Sequence, residues 1–215
     1  AYRYDIPCGV VERPGLALDG PGNSWGAAIA AQGGAPAVQL ITEGNYGFRG
    51  DQNALALTLI RSSYDPDPYP ESGIHKINFV VHVPAGSANH ELAAAAANYT
   101  RPLDVFSGAG AQAERHSFIN FEGDSLAWSA LKAPEDGAAD TFILRFYEVD
   151  GRTAKAAIQF SRPLIGAAWC DAHEQALPEE PAGQEAEPLS VEGSRLTLSL
   201  RPYGLGSVRV QLAKE

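Results

Sequence analysis

The sequence has 215 residues, 45% hydrophobic and 20% charged, which is the composition of a folded chain rather than a disordered one. A formal net charge of −10 excludes nucleic acid as a partner, because binding a phosphate backbone needs Lys and Arg gathered on one face. No apolar run approaches the ~20 residues that span a bilayer, so no membrane partner is expected either.

Period-2 alternation dominates, the pattern of strands with one face on a core. In NALALTLIRSS, Leu55, Leu57 and Leu59 point one way and Ala56, Thr58 and Ile60 the other. In HKINFVVHVP, Ile77, Phe79, Val81 and Val83 alternate with Asn78, Val80 and His82 until Pro84, which cannot donate to a ladder. Two long sandwich strands are predicted. Between them SSYDPDPYPESG carries Pro66, Pro68 and Pro70 at every second position, so it reads as a stiff, extended surface loop. SANHELAAAAANYT predicts one connecting helix, capped by Ser87 and with Glu91 complementing the dipole.

After Phe106 the small, polar run SGAGAQAER reads as a linker between two modules. SLAWSALKAPEDG, TFILRFYEVDG and TAKAAIQF then predict a strand meander with turns at Asp136-Gly137 and Asp150-Gly151. The acidic, proline-rich QALPEEPAGQEAEP predicts a loop, and RLTLSL with LGSVRVQL a closing strand pair. The expectation is an all-β chain of two modules, residues 1–108 and 109–215.

Chemistry-bearing residues are sparse. Cys8 and Cys170 lie far apart with no Cys/His spacing of a zinc or redox site, and two buried free thiols are expected. None of His75, His82, His90, His116 and His173 has a partner at zinc-site spacing. No Ser or Cys stands in a G-x-S-x-G context. Glycoside hydrolysis needs two carboxylates about 5 or 9 Å apart, and Glu43, Asp65, Asp67 and Glu71 read as solvated loop carboxylates instead. Arg49-Gly50-Asp51 reads as a hairpin turn. Asn98-Tyr99-Thr100 is a sequon of the kind that arises by chance. Trp25, Tyr46, Tyr64 and Tyr69 cluster around the proline-rich region and could either pack the loop or stack on a sugar, whereas Trp128 and Trp169 read as core.

The order of motifs says more than any one of them. YDIPCGVVERP, then LITEGNYGFRGDQNALALTLIRSSYDPDPYPESGIHKINFVVHVPAG, then SALKAPEDGAADTFILRFYEVDGR and LSLRPYGLGSVRV resemble the C-terminal region of glycoside hydrolase family 38, the α-mannosidases. The resemblance is to the bacterial and cytosolic branch, with its L-L-N-D-C-K-Y-G stretch, G-N-x-L-x-L-x-L-L-R-S strand and P-D-P…G-x-H-E loop. Tyr46 and Gly47 keep the first pattern, while Thr42, Glu43, Gly44 and Asn45 replace Asn-Asp-Cys-Lys. Arg61, Asp65, Pro66, Asp67, Pro68, Gly73 and His75 keep the others, with Lys76 where the family has Glu.

The resemblance implies the end of a large galactose-mutarotase-like β-sandwich followed by a smaller β-sandwich module. It implies a retaining α-mannosidase whose nucleophile, acid and single zinc belong to an N-terminal catalytic domain of the same polypeptide. No catalytic residue, metal ligand or cofactor is then expected in these residues. Tyr46, Arg61, Asp65, Asp67 and His75 are the candidate cleft-lining residues toward an α-mannoside, and the implied location is the bacterial cytoplasm. Because no Met occurs and the chain opens on AYRYDIPCGVVERP without a signal-peptide pattern, it reads as an internal piece of something longer. Two other readings stand beside this one: an independent carbohydrate-binding sandwich using Tyr46, Tyr64 and Tyr69, and a structural or homo-oligomerisation module.

Overall fold

A computed structural model describes residues 1–16, 18–30, 38–107, 116–123, 125–177 and 189–214. The chain divides into two compact units, residues 1–103 and 104–215, each built on antiparallel sheets. The all-β class is what the structure shows, with a single helix among the described residues.

The first unit opens with the hairpin β1 (Tyr2–Ile6) and β2 (Gly9–Arg13), followed by β3 (Gly20–Pro21), β4 (Trp25–Ala28), β5 (Val38–Thr42), β6 (Gly47–Asp51), β7 (Ala54–Leu57), β8 (Phe79–His82) and the helix α1 (Asn89–Thr100). Five strands form one sheet in the order β2-β1-β4-β5-β8, and three form another, β3-β6-β7. Side chains on a strand alternate between faces, so the larger sheet serves two cores. On one face Tyr2, Tyr4 and Leu40 meet Phe48, Leu55 and Leu57 of the smaller sheet. On the other, Trp25, Ala27 and Ile41 meet Leu92 and Ala96 of α1. The Asp5 carboxylate ties β1 to the start of β4, accepting the N–H groups of Asn23, Ser24 and Trp25 at 2.8–2.9 Å and the Ser24 hydroxyl at 2.7 Å.

Several expectations are corrected here. The two long strands shrink to β7 and β8, four residues each, because pairing with β6 and β5 stops where the chain leaves for the proline-rich loop. Ser87 does not cap α1. Ala88 holds the N-cap position, its N–H donates to Glu91 Oε2 at 3.1 Å, and the Ser87 carbonyl accepts Arg3 Nη1 at 2.7 Å. The helix is more than a connector, since buried Gln39 donates Nε2 to the Leu92 carbonyl at 2.8 Å and accepts His82 Nδ1 at 2.9 Å. Trp25 is core, not loop or ligand surface, because β4 is a central strand under α1. Cys8 is exposed at the β1–β2 turn, at φ 58°, and Cys170 is buried; both thiols are free.

Arg49-Gly50-Asp51 lies within β6, and the turn falls at Gln52 and Asn53 instead. Gly50 is required by packing: a Cβ there would stand 2.2 Å from the Tyr2 ring.

The second unit contains β9 (Ile119–Gly123), β10 (Leu126–Lys132), β11 (Thr141–Glu148), β12 (Ala154–Phe160), β13 (Leu164–Trp169), β14 (Ser190–Glu192), β15 (Arg195–Leu200) and β16 (Leu205–Leu212). Its sheets run β10-β11-β16-β13 and β14-β15-β12-β9, and share one core around Phe146, Ile158, Leu198 and Val208. Trp128 and Trp169 pack edge-on to Phe146 with centroids 6.3 Å away, contacts worth about 0.5–1.5 kcal/mol each beyond burial.

The meander is corrected: β10 and β11 form the expected hairpin around Gly137, but β12 lies in the opposite sheet. At that corner the fully buried Glu148 carboxylate accepts the N–H groups of Asp150, Gly151 and Tyr203 at 2.8–2.9 Å, groups that leave the ladder when the chain changes sheet. β15 and β16 likewise belong to opposite sheets and are not a closing pair. Most of the linker, residues 108–115, and most of the acidic loop, residues 178–188, lie outside the described residues.

Gly50→Ala drives a methyl group into the Tyr2 ring, and overpacking of this kind costs about 1–3 kcal/mol. Urea unfolding of the variant, followed by signals assigned to residues 1–103, is expected to show that loss in the first unit while the transition of the second is unchanged.

Candidate functional site

The site begins with a turn. Where β5 ends, the buried Thr42 hydroxyl accepts the Asn45 N–H at 3.1 Å and closes the chain back toward β6. Asn45 then donates Nδ2 to the carbonyls of Thr58 and Leu59, at 3.0 and 2.9 Å, and Thr58 N–H donates to the Gly47 carbonyl at 2.8 Å. The segment leaving β7 is thereby held alongside the turn. The Thr58 hydroxyl donates to Asp19 Oδ2 at 2.8 Å, and Arg49 Nε lies 3.8 Å from the other Asp19 oxygen.

These bonds shape an open groove of about 530 Å³ whose walls include Asp19, Asn45, Tyr46, Leu59 and Arg61. Tyr46 is 61% exposed, so its ring face is available. An aromatic face beside a guanidinium and a carboxylate suits a polyhydroxylated ligand: the ring takes an apolar sugar face and the charged groups its hydroxyls. Next to the groove, Glu43 and Lys76 line a shallow depression of about 320 Å³.

Of the five residues read from the sequence, Tyr46 and Arg61 thus come together. Asp65, Asp67 and His75 are not among the groove's lining side chains; they sit farther along the exposed proline-rich loop, which contains a cis Asp65-Pro66 bond. Asp67 Oδ1 accepts the Tyr69 N–H at 2.9 Å, and His75 Nε2 donates to the Glu71 carbonyl at 2.9 Å. Sequence reasoning missed Asn45, Thr58 and Asp19. A polar residue between Gly44 and Gly47 is a turn signal that pointed to Asn45, but nothing local marks Asp19 as a neighbour of Thr58.

A second depression, of about 470 Å³ in the second unit, has its charges committed internally. Buried Glu174, held at φ 65°, accepts Lys132 Nζ at 2.6 Å and the Glu135 N–H at 2.7 Å, and Arg145 Nη2 lies 3.6 Å from it. Lys132 also bonds Glu135, while Arg209 donates to Asp136 at 2.8 Å. The Lys132 hydrogen bond, reinforced by the Glu135 amide, holds the Glu174 carboxyl below the ordinary glutamate range. This cluster fastens the turn after β13 to β10 and β11. Among the described residues no three His, Cys, Asp or Glu side chains gather as metal ligands in either unit.

Residues 125–204, from the start of β10 to the turn before β16, match the family model described as "Glycosyl hydrolases family 38 C-terminal beta sandwich domain". These residues of the second unit are thus similar to the C-terminal β-sandwich domain of glycoside hydrolase family 38. A similar protein is "Alpha-mannosidase 2C1" of Mus musculus, 27% identical over 178 residues, covering 81% of this chain and 16% of that protein. This chain therefore spans about one sixth of the length of the curated relative it matches. Since the second unit is residues 104–215, a match over 81% of the chain also reaches well into the first, where the groove lies.

Because the Glu174 carboxyl is depressed, its stabilisation is complete above the ordinary glutamate range and is lost as pH falls through the lower folded value. Glu174→Gln is accordingly expected to lower the urea midpoint of the second unit most at pH 7, and the gap to wild type should close toward pH 3. A gap independent of pH would show that the carboxylate charge contributes nothing.

Proposed function

We propose that this chain is the non-catalytic C-terminal region of an α-mannosidase, and that Tyr46, Arg61 and the loop onward through Asp65, Asp67 and His75 line the approach to a cleft completed by an N-terminal catalytic domain of the same polypeptide. The reading assigns hydrolysis of terminal α-mannosides, and the zinc the family resemblance implies, to that other domain. The described residues do not fit a zinc, since no ligand set converges among them, and no catalytic step is assigned to them. A cytoplasmic location goes with the resemblance. No described helix is long and apolar enough to cross a membrane.

The observation that carries the reading is the pairing of Tyr46 with Arg61 in one open groove, braced by Asn45. Both are positions at which the sequence resembles the α-mannosidases. Groups of this kind position a sugar rather than react with it, so their effect belongs in transition-state and ground-state binding, not in bond breaking.

In the polypeptide that includes the N-terminal part, Tyr46→Ala and Arg61→Ala are each expected to lower kcat/KM on an aryl α-mannoside by about tenfold or more, the equivalent of about 1.4 kcal/mol of lost transition-state binding. Unchanged kinetics in both variants would remove the cleft role. The rival, an independent sugar-binding module, predicts saturable binding by the isolated chain. Of its three tyrosines, Tyr46 lines the groove and Tyr64 and Tyr69 do not. Calorimetric titration with mannose and mannobiose is expected to show no saturation, and saturation abolished by Tyr46→Ala would favour the rival.

A further inference from the structure

Two depressions of the first unit meet at one turn. Gly44 and Asn45 line both the groove that holds Tyr46 and Arg61 and the shallower depression that holds Glu43, Lys76 and Asn78. The Nδ2 bonds of Asn45 to the Thr58 and Leu59 carbonyls fix its side chain, so the ground between the two depressions belongs to the braced turn. Gly44 adds only backbone to it.

A fold needs glycine where φ is positive or where a Cβ would collide with a neighbour. Gly47 meets the second condition, since a Cβ there would stand 2.9 Å from the Thr58 side chain. Gly44 meets neither: its φ is not positive, and a Cβ would find nothing within 4 Å. What the missing side chain does provide is an unobstructed passage from groove to depression, over which a ligand can approach the backbone closely.

The depression carries the groups that hold a sugar ring. Glu43 offers a carboxylate that accepts from hydroxyls, Lys76 an ammonium that donates to them, and Asn78 an amide that does both; all three residues are exposed. One negative and one positive side chain give the depression no preference for either sign of ion, which suits a neutral, hydroxyl-rich ligand. Glu43, Gly44, Asn45 and Lys76 are also positions at which the sequence departs from the α-mannosidase pattern it otherwise resembles. Those departures gather around this one depression.

We propose that groove and depression form one trough that takes two consecutive sugar units of an oligomannoside, the first against Tyr46 and Arg61 and the second, beyond Gly44, against Glu43, Lys76 and Asn78. This rests on the reading of the groove as part of a mannosidase cleft and gives that cleft a substrate class. Binding of the second unit favours oligomannosides over mannosides of a non-sugar alcohol.

The test compares a mannotriose with an aryl α-mannoside in the polypeptide that includes the N-terminal part. Gly44→Leu puts a side chain into the passage without collision, so its urea midpoint is expected to be no lower than that of wild type. Its kcat/KM is expected to fall at least about tenfold more on mannotriose than on the aryl α-mannoside, and the double variant Glu43→Gln, Lys76→Met to show the same selectivity. Equal losses on the two substrates, or no loss on mannotriose while Tyr46→Ala impairs both, would overturn the trough and leave the cleft reading standing. Binding of a sulfur-linked mannotriose, which resists hydrolysis, is followed by calorimetry on the same samples. Affinity weakened about tenfold by Gly44→Leu in a polypeptide without mannosidase activity would reject the functional reading and leave the trough standing. Affinity unchanged by Gly44→Leu would overturn the trough whatever the activity.

Discussion

A chain that leaves a sheet must find new partners for the backbone groups that the ladder no longer pairs. In both units a single carboxylate supplies them. Asp5 takes three N–H groups and a hydroxyl where β1 meets the start of β4, and Glu148 takes three N–H groups where β11 gives way to β12. Each costs desolvation of a charge, offset by several charge-assisted hydrogen bonds directed at it, which are roughly twice as strong as neutral ones. Without Glu148 three backbone N–H groups at the crossing from β11 to β12 would lose their acceptor, at a place where the apolar face of β12 must still reach the core around Phe146.

The sequence was legible at the level of class and opaque at the level of connectivity. Alternation in TFILRFYE and LGSVRVQL marked β11 and β16, since every second side chain enters one core. The same alternation could not say which strands share a sheet, and it misread β12 as the next strand of a meander because the decisive contact comes from Glu148, a residue whose burial has no local signature. For β8 the pattern marked the strand but not its surroundings. Val80 packs against the cluster that holds Trp25 and Ile41, while Phe79, Val81 and Val83, the apparent core side, are exposed.

At the candidate site the motif-like residues and the bracing residues separate cleanly. Tyr46 and Arg61 stood out through family resemblance, and the groove gives them a shared location. Asn45 and Thr42, which replace residues of the family pattern, form the hydrogen bonds that shape that turn. Their importance is legible once the segment after β7 is seen to return beside them, because the bonds link positions 13 and 14 residues apart in sequence. Asp65, Asp67 and His75 show the converse, a recognisable pattern whose hydrogen bonds stay within their own loop.

The two cysteines acquire a use from where they fall. Cys8 sits exposed on the β1–β2 turn of the first unit, and Cys170 is buried at the end of β13 in the second, where burial also pushes its thiol pKa up. A thiol-directed reagent therefore distinguishes them by access. One dye labels the first unit in the native protein, and the second thiol becomes reactive as its own unit opens. The chain carries a separate covalent reporter for each half, with no engineered residue required.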